Sequence, residues 1–379
     1  MAGRQQRRDP RGRHRQHGDD AKLAFSGDPA GPRTNRERPT GCGGLTRKHA
    51  ANRPEPPEMT AETTGQLDLT GGPAPRVVIL LSTFNGAAFL PQQLQSFMAQ
   101  MHTNWILLWR DDGSSDDTVA IVEAFAAGRP GCMRVQEPTG RWGATASFLL
   151  LLRAAREIVQ STDLVAFSDQ DDVWLPRKLA RGVASLSETE PECPALYCAR
   201  QILVDGGLHR IGESPKVLRT PAFPASLAQN VASGCTTMLN FTAVALVAAS
   251  LPPRVAYHDW WCYILVTAAG GTCLCDDAEV ILYRQHSRNA VGAPASTFRR
   301  AYAALWRGPT EFMTLLRAHL SALAEHPSLI SQHARRDIVR LQGALRGGPV
   351  RRWATLWSLG LQRQSVAETL IFYLWFIIG

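Results

Sequence analysis

From Arg76 onward the apolar positions fall into two kinds of run. Val77–Leu81 and Trp105–Trp109 are short and continuous, as strands buried on both faces of a parallel sheet would be. Between and after them apolar residues recur at helical spacing, to about Gln100 and again around Ser147–Ile158. A third strand is expected near Met133–Val135 and a fourth at Leu164–Phe167. This alternation predicts an α/β domain: a mainly parallel sheet with helices on both faces. Residues 176–290 read as mixed helices and short strands. From about 294 the pattern is helical, rich in Arg and without β-like runs.

Composition sets the domain limits. The 379 residues are 45% hydrophobic and 20% charged, which excludes fibrous and fully disordered chains. Residues 1–75 differ from the rest: they lack Val and Ile, hold one aromatic residue (Phe25), and carry 13 Lys or Arg against 9 Asp or Glu. Such a segment cannot bury enough apolar surface to fold and is expected to be a disordered basic tail. Its cluster Arg4, Arg7, Arg8, Arg11, Arg13 and Arg15 reads either as a solvated tail or as a phosphate-binding arm. Met59 is an alternative start that would remove it. The expected organisation is a tail over 1–75, an α/β domain over 76–292 and a helical region over 293–379.

No run of 18 apolar residues occurs and the start lacks a signal-peptide pattern, so a cytoplasmic protein is expected. The eight cysteines form no C-x-x-C pair, and Cys273 and Cys275 alone are closely spaced. They read as reduced thiols, not as a disulfide framework or a zinc site.

The candidate chemistry sits where strands end, the place at which ligands bind in sheets of this class. Asp169, Asp171 and Asp172 follow directly on a buried strand. Acids two apart in extended chain share a face, and such a concentration suits a hard divalent cation as well as a solvated turn. In Asp111–Thr118 (DDGSSDDT), Ser114 or Ser115 is expected to cap a helix with Asp116 and Asp117 in its first turn. The doubled Asp111-Asp112 suits hydrogen bonds to a ribose or base edge. No GxGxxG or Walker loop is present. Asp259, opening an apolar helical run, reads as a helix N-cap or as a general base flanked by water-excluding aromatics. Arg284 and His286 share a face and suit a diphosphate or a metal. In Ser233–Thr237, Gly234 suits close approach to a ligand, and nothing activates Cys235 as a nucleophile.

Taken in order, STFNG, DDGSSDDT, SDQDDVWLPRKL, SGCTTMLN, HDWW and YRQHSRN resemble the inverting family 2 glycosyltransferases of GT-A fold over about residues 76–292. SDQDDVW with HDWW and YRQH is similar to the rhamnosyltransferase-like branch that builds bacterial surface polysaccharides. The resemblance implies that Thr83, Asn85, Asp112 and Asp169 hold the nucleotide. It implies Asp171, Asp172 and His286 at a Mg²⁺ or Mn²⁺ ion, Asp259 as catalytic base, and Gly234, Trp260 and Arg284 near the substrate or its diphosphate. The implied reaction moves a sugar, rhamnose from dTDP-rhamnose or a hexose from a UDP-sugar, to a hydroxyl of a glycan or lipid-linked oligosaccharide. The rival is a non-catalytic nucleotide- or carbohydrate-binding protein. No nucleic-acid partner is expected, because the core lacks basic–aromatic interleaving. Two departures from the pattern, Ser147 before Phe148 and Trp142 and Ala144 around Gly143, fall on the donor-sugar pocket.

Leu370–Ile378 is the most hydrophobic stretch and follows Arg346, Arg351, Arg352 and Arg363, interleaved with Trp353 and Trp357. It suits an interfacial anchor on the inner face of the plasma membrane, or a helix packed against the catalytic domain.

Overall fold

The computed structural model describes residues 74–136, 140–286 and 309–379. The expected tail up to residue 73 and the boundary at 292/293 lie outside these residues. Nine strands form one sheet in the order β3-β2-β1-β4-β8-β6-β9-β5, with β7 paired to β6. They are β1 (Val77–Thr83), β2 (Trp105–Asp111), β3 (Cys132–Arg134), β4 (Leu164–Ser168), β5 (Val173–Trp174), β6 (Ala195–Val204), β7 (Arg210–Glu213), β8 (Met238–Asn240) and β9 (Thr272–Arg284). The half built from β1 to β4 is parallel throughout. Antiparallel β8 then joins β4 to β6, so the whole sheet is mixed. β8 can insert this way because it runs straight into a helix with no crossover. At that junction Asn240 accepts hydrogen bonds from the Ala195 and Ala243 amides.

Helices cover both faces: α1 (Leu90–Met98), α2 (Thr118–Ala126), α3 (Ala144–Arg156), α4 (Lys178–Ser187), α5 (Phe241–Ala248) and α6 (His258–Ala268). Val77 to Leu81 are all fully buried. Val78 and Leu80 pack with α3, α5 and α6 on one side, Val77, Ile79 and Leu81 with α1 and α4 on the other. This two-sided burial explains the unbroken apolar run. The segment read as short strands contains two long ones, β6 and β9, paired in parallel along most of their length.

Two capping expectations are corrected. The helix after DDGSS starts at Thr118, and neither Ser114 nor Ser115 caps it. Both serines are held by the neighbouring loops instead: Ser114 Oγ donates to Asp111 and the Ser115 amide to Asn85. Asp116 and Asp117 thus precede the first turn, Asp116 accepting from the Thr118 amide at 3.1 Å. Asp259 is also no N-cap; α6 begins one residue earlier, behind Tyr257.

Beyond the sheet lie α7 (Pro309–Glu325), α8 (Gln332–Leu345), α9 (Pro349–Leu359) and α10 (Val366–Ile378). Ser365 caps the start of α10: its Oγ accepts from the Glu368 amide and donates to the Glu368 carboxylate. One face of this helix packs against the rest of the chain and the other is exposed. Thr369, Phe372, Trp375 and Phe376 pack inward, while Val366, Leu370, Leu374 and Ile378 are 49–67% exposed.

Candidate active site

The carboxyl ends of β1, β2 and β4, the end of β9 and the start of α6 converge on one region. On its nucleotide side, β1 and β2 are tied together by their own loop residues. Thr83 is buried and its hydroxyl donates to Asp111 Oδ1 at 2.9 Å. Asn85 takes a left-handed conformation (φ 46°) that Asn tolerates better than most residues, and its Oδ1 accepts from the Ser115 amide at 2.8 Å. Asp112 is 3% exposed and locked. Its Oδ1 accepts from the Trp142 amide at 2.7 Å and from Arg110 at 2.8 Å, and its Oδ2 accepts from the Gly143 amide at 2.7 Å. Burial pushes this carboxyl up, but the bonds from Trp142, Arg110, Gly143 and Ser147 outweigh it and hold the pKa below the usual range. Asp112 therefore shapes the site by pinning the loop at 140–143. Ser147, one of the departures noted in the sequence, completes this network by accepting from Arg110 at 2.6 Å.

The acidic segment after β4 splits its carboxylates between two places. Asp171 Oδ2 meets His286 Nε2 at 2.8 Å, and both side chains are partly exposed. The His286 ring stacks on Phe89. Asp172 turns inward and is wholly buried, its Oδ1 accepting from the Arg284 amide and its Oδ2 without a hydrogen-bond partner. It gathers with Asp169 and Cys235, whose ligand atoms lie within 4.8 Å of one another. Of the three residues assigned to the metal, Asp171 and His286 are thus brought together, and Asp172 stands behind them.

Burial, then the carboxylates of Asp171 and Asp259, push Asp169 up to about 7. Burial, Asp169 and Asp171 raise Asp172 well above the carboxylate range. Such mutual repulsion is what a bound cation relieves. Two carboxylates, an imidazole and the unsatisfied Asp172 oxygen are hard or borderline donors, so these residues fit Mg²⁺ or Mn²⁺.

Asp259 is fixed from two sides: Oδ2 accepts from the Gly234 amide at 3.0 Å and Oδ1 from the Trp260 amide at 2.6 Å. A Cβ on Gly234 would stand 2.8 Å from His258 Nε2, so the close approach foreseen at this glycine is made by the protein's own imidazole. His258 stacks on Phe148 with centroids 4.2 Å apart, and burial keeps its pKa below the usual value. Trp260 points away from the cleft, its indole donating to Ser226 O at 2.7 Å. Arg284 is 1% exposed and serves the same loop from beneath, donating to the Asp171 carbonyl at 2.8 Å and to Gln92.

Sequence reasoning missed two participants. Gln170 bridges the Phe84 amide and carbonyl at 2.8 and 2.9 Å and fills the space where a Gly86 side chain would be. Lys178 is wholly buried, its ammonium 3.4 Å from the Trp174 ring centroid and without a hydrogen-bond partner. Burial brings it down to about 7, against the pull of Cys235, Asp172 and Asp169. Its signal was present as the Lys at the end of DDVWLPRK, a charge at a helix position that proves to face inward. Cys235 is a protonated thiol, because burial and then Asp172 and Asp169 raise it well above normal. A cavity of about 300 Å³ lies elsewhere, lined in part by Arg219, Phe223, Tyr263 and Gln364.

Residues 78–243 match the model of glycosyl transferase family 2. The chain carries a family 2 glycosyltransferase domain. This glycosyltransferase is 25% identical over 234 residues to the dTDP-rhamnosyl transferase RfbG of Shigella flexneri, covering 59% of this chain and 78% of that protein. It is 28% identical over 110 residues to the Escherichia coli enzyme WfgD, named a UDP-Glc:alpha-D-GlcNAc-diphosphoundecaprenol beta-1,3-glucosyltransferase, covering 29% and 40% of the two chains. Its fold matches the crystal structure of S. aureus TarS 1–349 in complex with UDP-GlcNAc, with a TM-score of 0.50 at 12% identity over 75% of this chain and 81% of that one. The fold is GT-A, followed by a helical C-terminal region.

Proposed function

We propose that this glycosyltransferase performs metal-dependent, inverting transfer of a deoxyhexose, rhamnose from dTDP-rhamnose, to a hydroxyl of a glycan or lipid-linked oligosaccharide in cell-surface polysaccharide synthesis. The observation that carries the reading is geometric: Asp171 meets His286 at 2.8 Å beyond the end of β4, while Asp259 is held by the Gly234 amide at 3.0 Å at the start of α6. The donor choice rests on RfbG, which is matched over 78% of its own length. The shorter match to WfgD supports a second reading, a hexose from a UDP-sugar.

In this reading the nucleotide lies over the loops after β1 and β2, beside Thr83 and Asn85, with Asp112 holding the loop at 140–143 beneath it. Asp171 and His286 would hold Mg²⁺ or Mn²⁺ with Asp169 and Asp172 close by; a cation there stabilises the negative charge that develops on the departing diphosphate. Arg284 positions Asp171 through its carbonyl. The Asp259 carboxylate, oriented by the Gly234 and Trp260 amides, takes the proton from the acceptor hydroxyl as that oxygen attacks the anomeric carbon. Attack opposite the leaving group inverts that carbon, through an oxocarbenium-like transition state as in inverting glycosidases.

A peripheral membrane contact belongs to the same proposal. Val350, Trp353 and Trp357 on α9 and Val366, Leu370, Leu374 and Ile378 on α10 are 49–82% exposed. Residues 309–379 carry eight Arg against four Asp or Glu, a charge complementary to anionic lipid. Among the described residues no helix is long and apolar enough to cross a membrane, so this contact would lie in the interface.

The test is release of nucleoside diphosphate by the full chain from a panel containing dTDP-rhamnose, UDP-glucose and UDP-galactose. It is run with an undecaprenyl-diphosphate-linked glycan acceptor, with Mn²⁺ and with EDTA. Metal-dependent turnover of dTDP-rhamnose supports the first reading, and turnover of a UDP-hexose the second. Turnover undiminished by EDTA would overturn the metal assignment.

A further inference from the structure

Spacing along the chain gives the cysteines no metal site, but the fold brings three of them together. Cys198 on β6 is the register partner of Cys275 on β9, and Cys273 lies two residues earlier on β9. All three therefore leave the same face of the sheet, toward the core beneath α6, while Tyr197 and Leu274 between them pack on the opposite face. The sulfurs of Cys198 and Cys275 are 3.4 Å apart, and the three Sγ atoms lie within 4.8 Å of one another. Cys198 also faces the Val231 carbonyl at 3.9 Å. Cys198 and Cys273 are buried, and Cys275 is half-buried, which leaves one side of the group open to solvent.

We propose that Cys198, Cys273 and Cys275 form a binding site for a thiophilic divalent cation of the Zn²⁺ class, separate from the oxygen-rich catalytic region. Three thiolates at one point select soft or borderline metals over Mg²⁺ and Mn²⁺. Three protein sulfurs leave a fourth position of a tetrahedron for water, and the exposed edge of Cys275 is where water and the ion can enter. Binding releases the thiol protons to solvent and involves no change of oxidation state. The ion would tie β6 to β9, the strand whose far end delivers Arg284 to the catalytic loop. The site thus stabilises the scaffold and takes no part in sugar transfer.

The reduced, metal-free full chain is titrated with Cd²⁺, whose thiolate charge-transfer band in the ultraviolet is not produced by carboxylates. The band should saturate at one equivalent, disappear on addition of excess Zn²⁺, and be accompanied by a Zn²⁺-dependent rise in Tm. Cys198→Ala and Cys275→Ser should lose both effects, with circular dichroism confirming that each is folded; Cys132→Ser, outside the group, should keep both. Absence of the band in the folded parent protein, which needs no variant, overturns the proposal. So does a band of full amplitude in Cys198→Ala. Neither result bears on the glycosyltransferase reading, which is tested by turnover.

Discussion

Replacing Asp112 by Ala removes one member of a fully buried ion pair. Arg110 and Asp112 lie 2.8 Å apart with side chains 2% and 4% exposed, and the carboxylate also accepts the amides of Trp142 and Gly143. Breaking such a pair from one side costs about 3–5 kcal/mol, because the remaining charge stays buried. At about 2–4 °C per kcal/mol for a domain of 150–250 residues, the Tm should fall by about ten degrees. The freed 140–143 loop should also weaken nucleotide binding. The assay is thermal unfolding of Asp112→Ala, Arg110→Met and the double variant, with nucleotide affinity by calorimetry. The double variant should lose much less than the sum of the two single losses, since no unpaired charge remains. A single Asp112→Ala loss below about 1 kcal/mol, or strict additivity, would refute the reasoning.

Three further outcomes follow from the same geometry. Asp169 is raised to about 7, so a cation at the site displaces its proton and Mn²⁺ affinity should climb by about tenfold per pH unit up to about 7 and then level; calorimetry giving a flat affinity across that range would contradict this. Gly234→Ala sets a Cβ against His258 and disturbs the amide that holds Asp259, so kcat should fall about 10- to 100-fold, and the overpacking should lower the Tm by a few degrees; unchanged kcat would show that Asp259 needs no such support. Trp357→Ala and Leu370→Glu, both on the exposed apolar faces, should reduce co-sedimentation with anionic vesicles and leave donor turnover intact; equal binding by parent and variants would place any membrane contact elsewhere.

The strands and the order of the chemical groups were legible because buried parallel strands write themselves as unbroken apolar runs that end abruptly in polar residues. Val77–Leu81 running into Thr83 and Asn85, and Leu164–Phe167 into the acidic cluster, are of this kind. What the sequence hides is direction. Asp171 and Asp172 are adjacent, yet one meets His286 at the surface and the other is sealed inside with Asp169 and Cys235. Arg284 and Trp260 stand within recognisable motifs, but their polar groups are spent on the Asp171 carbonyl and on Ser226. Cys198 is 75 residues or more from its sulfur neighbours, a proximity created solely by the β6–β9 pairing. Helix starts were the weakest point, since Ser114 and Ser115 found loop partners that competed successfully with the cap.

The central claim is that the Asp259 carboxylate takes the acceptor proton. Asp259→Asn keeps the size of the side chain and one of the two oxygens that accept from the Gly234 and Trp260 amides, and it removes the basicity at the cost of one of those bonds. Transfer rate and donor affinity are measured side by side in the parent and this variant. The account predicts a loss of about 10²–10⁴-fold in kcat with donor affinity unchanged. A variant that transfers sugar at the parental rate would contradict it.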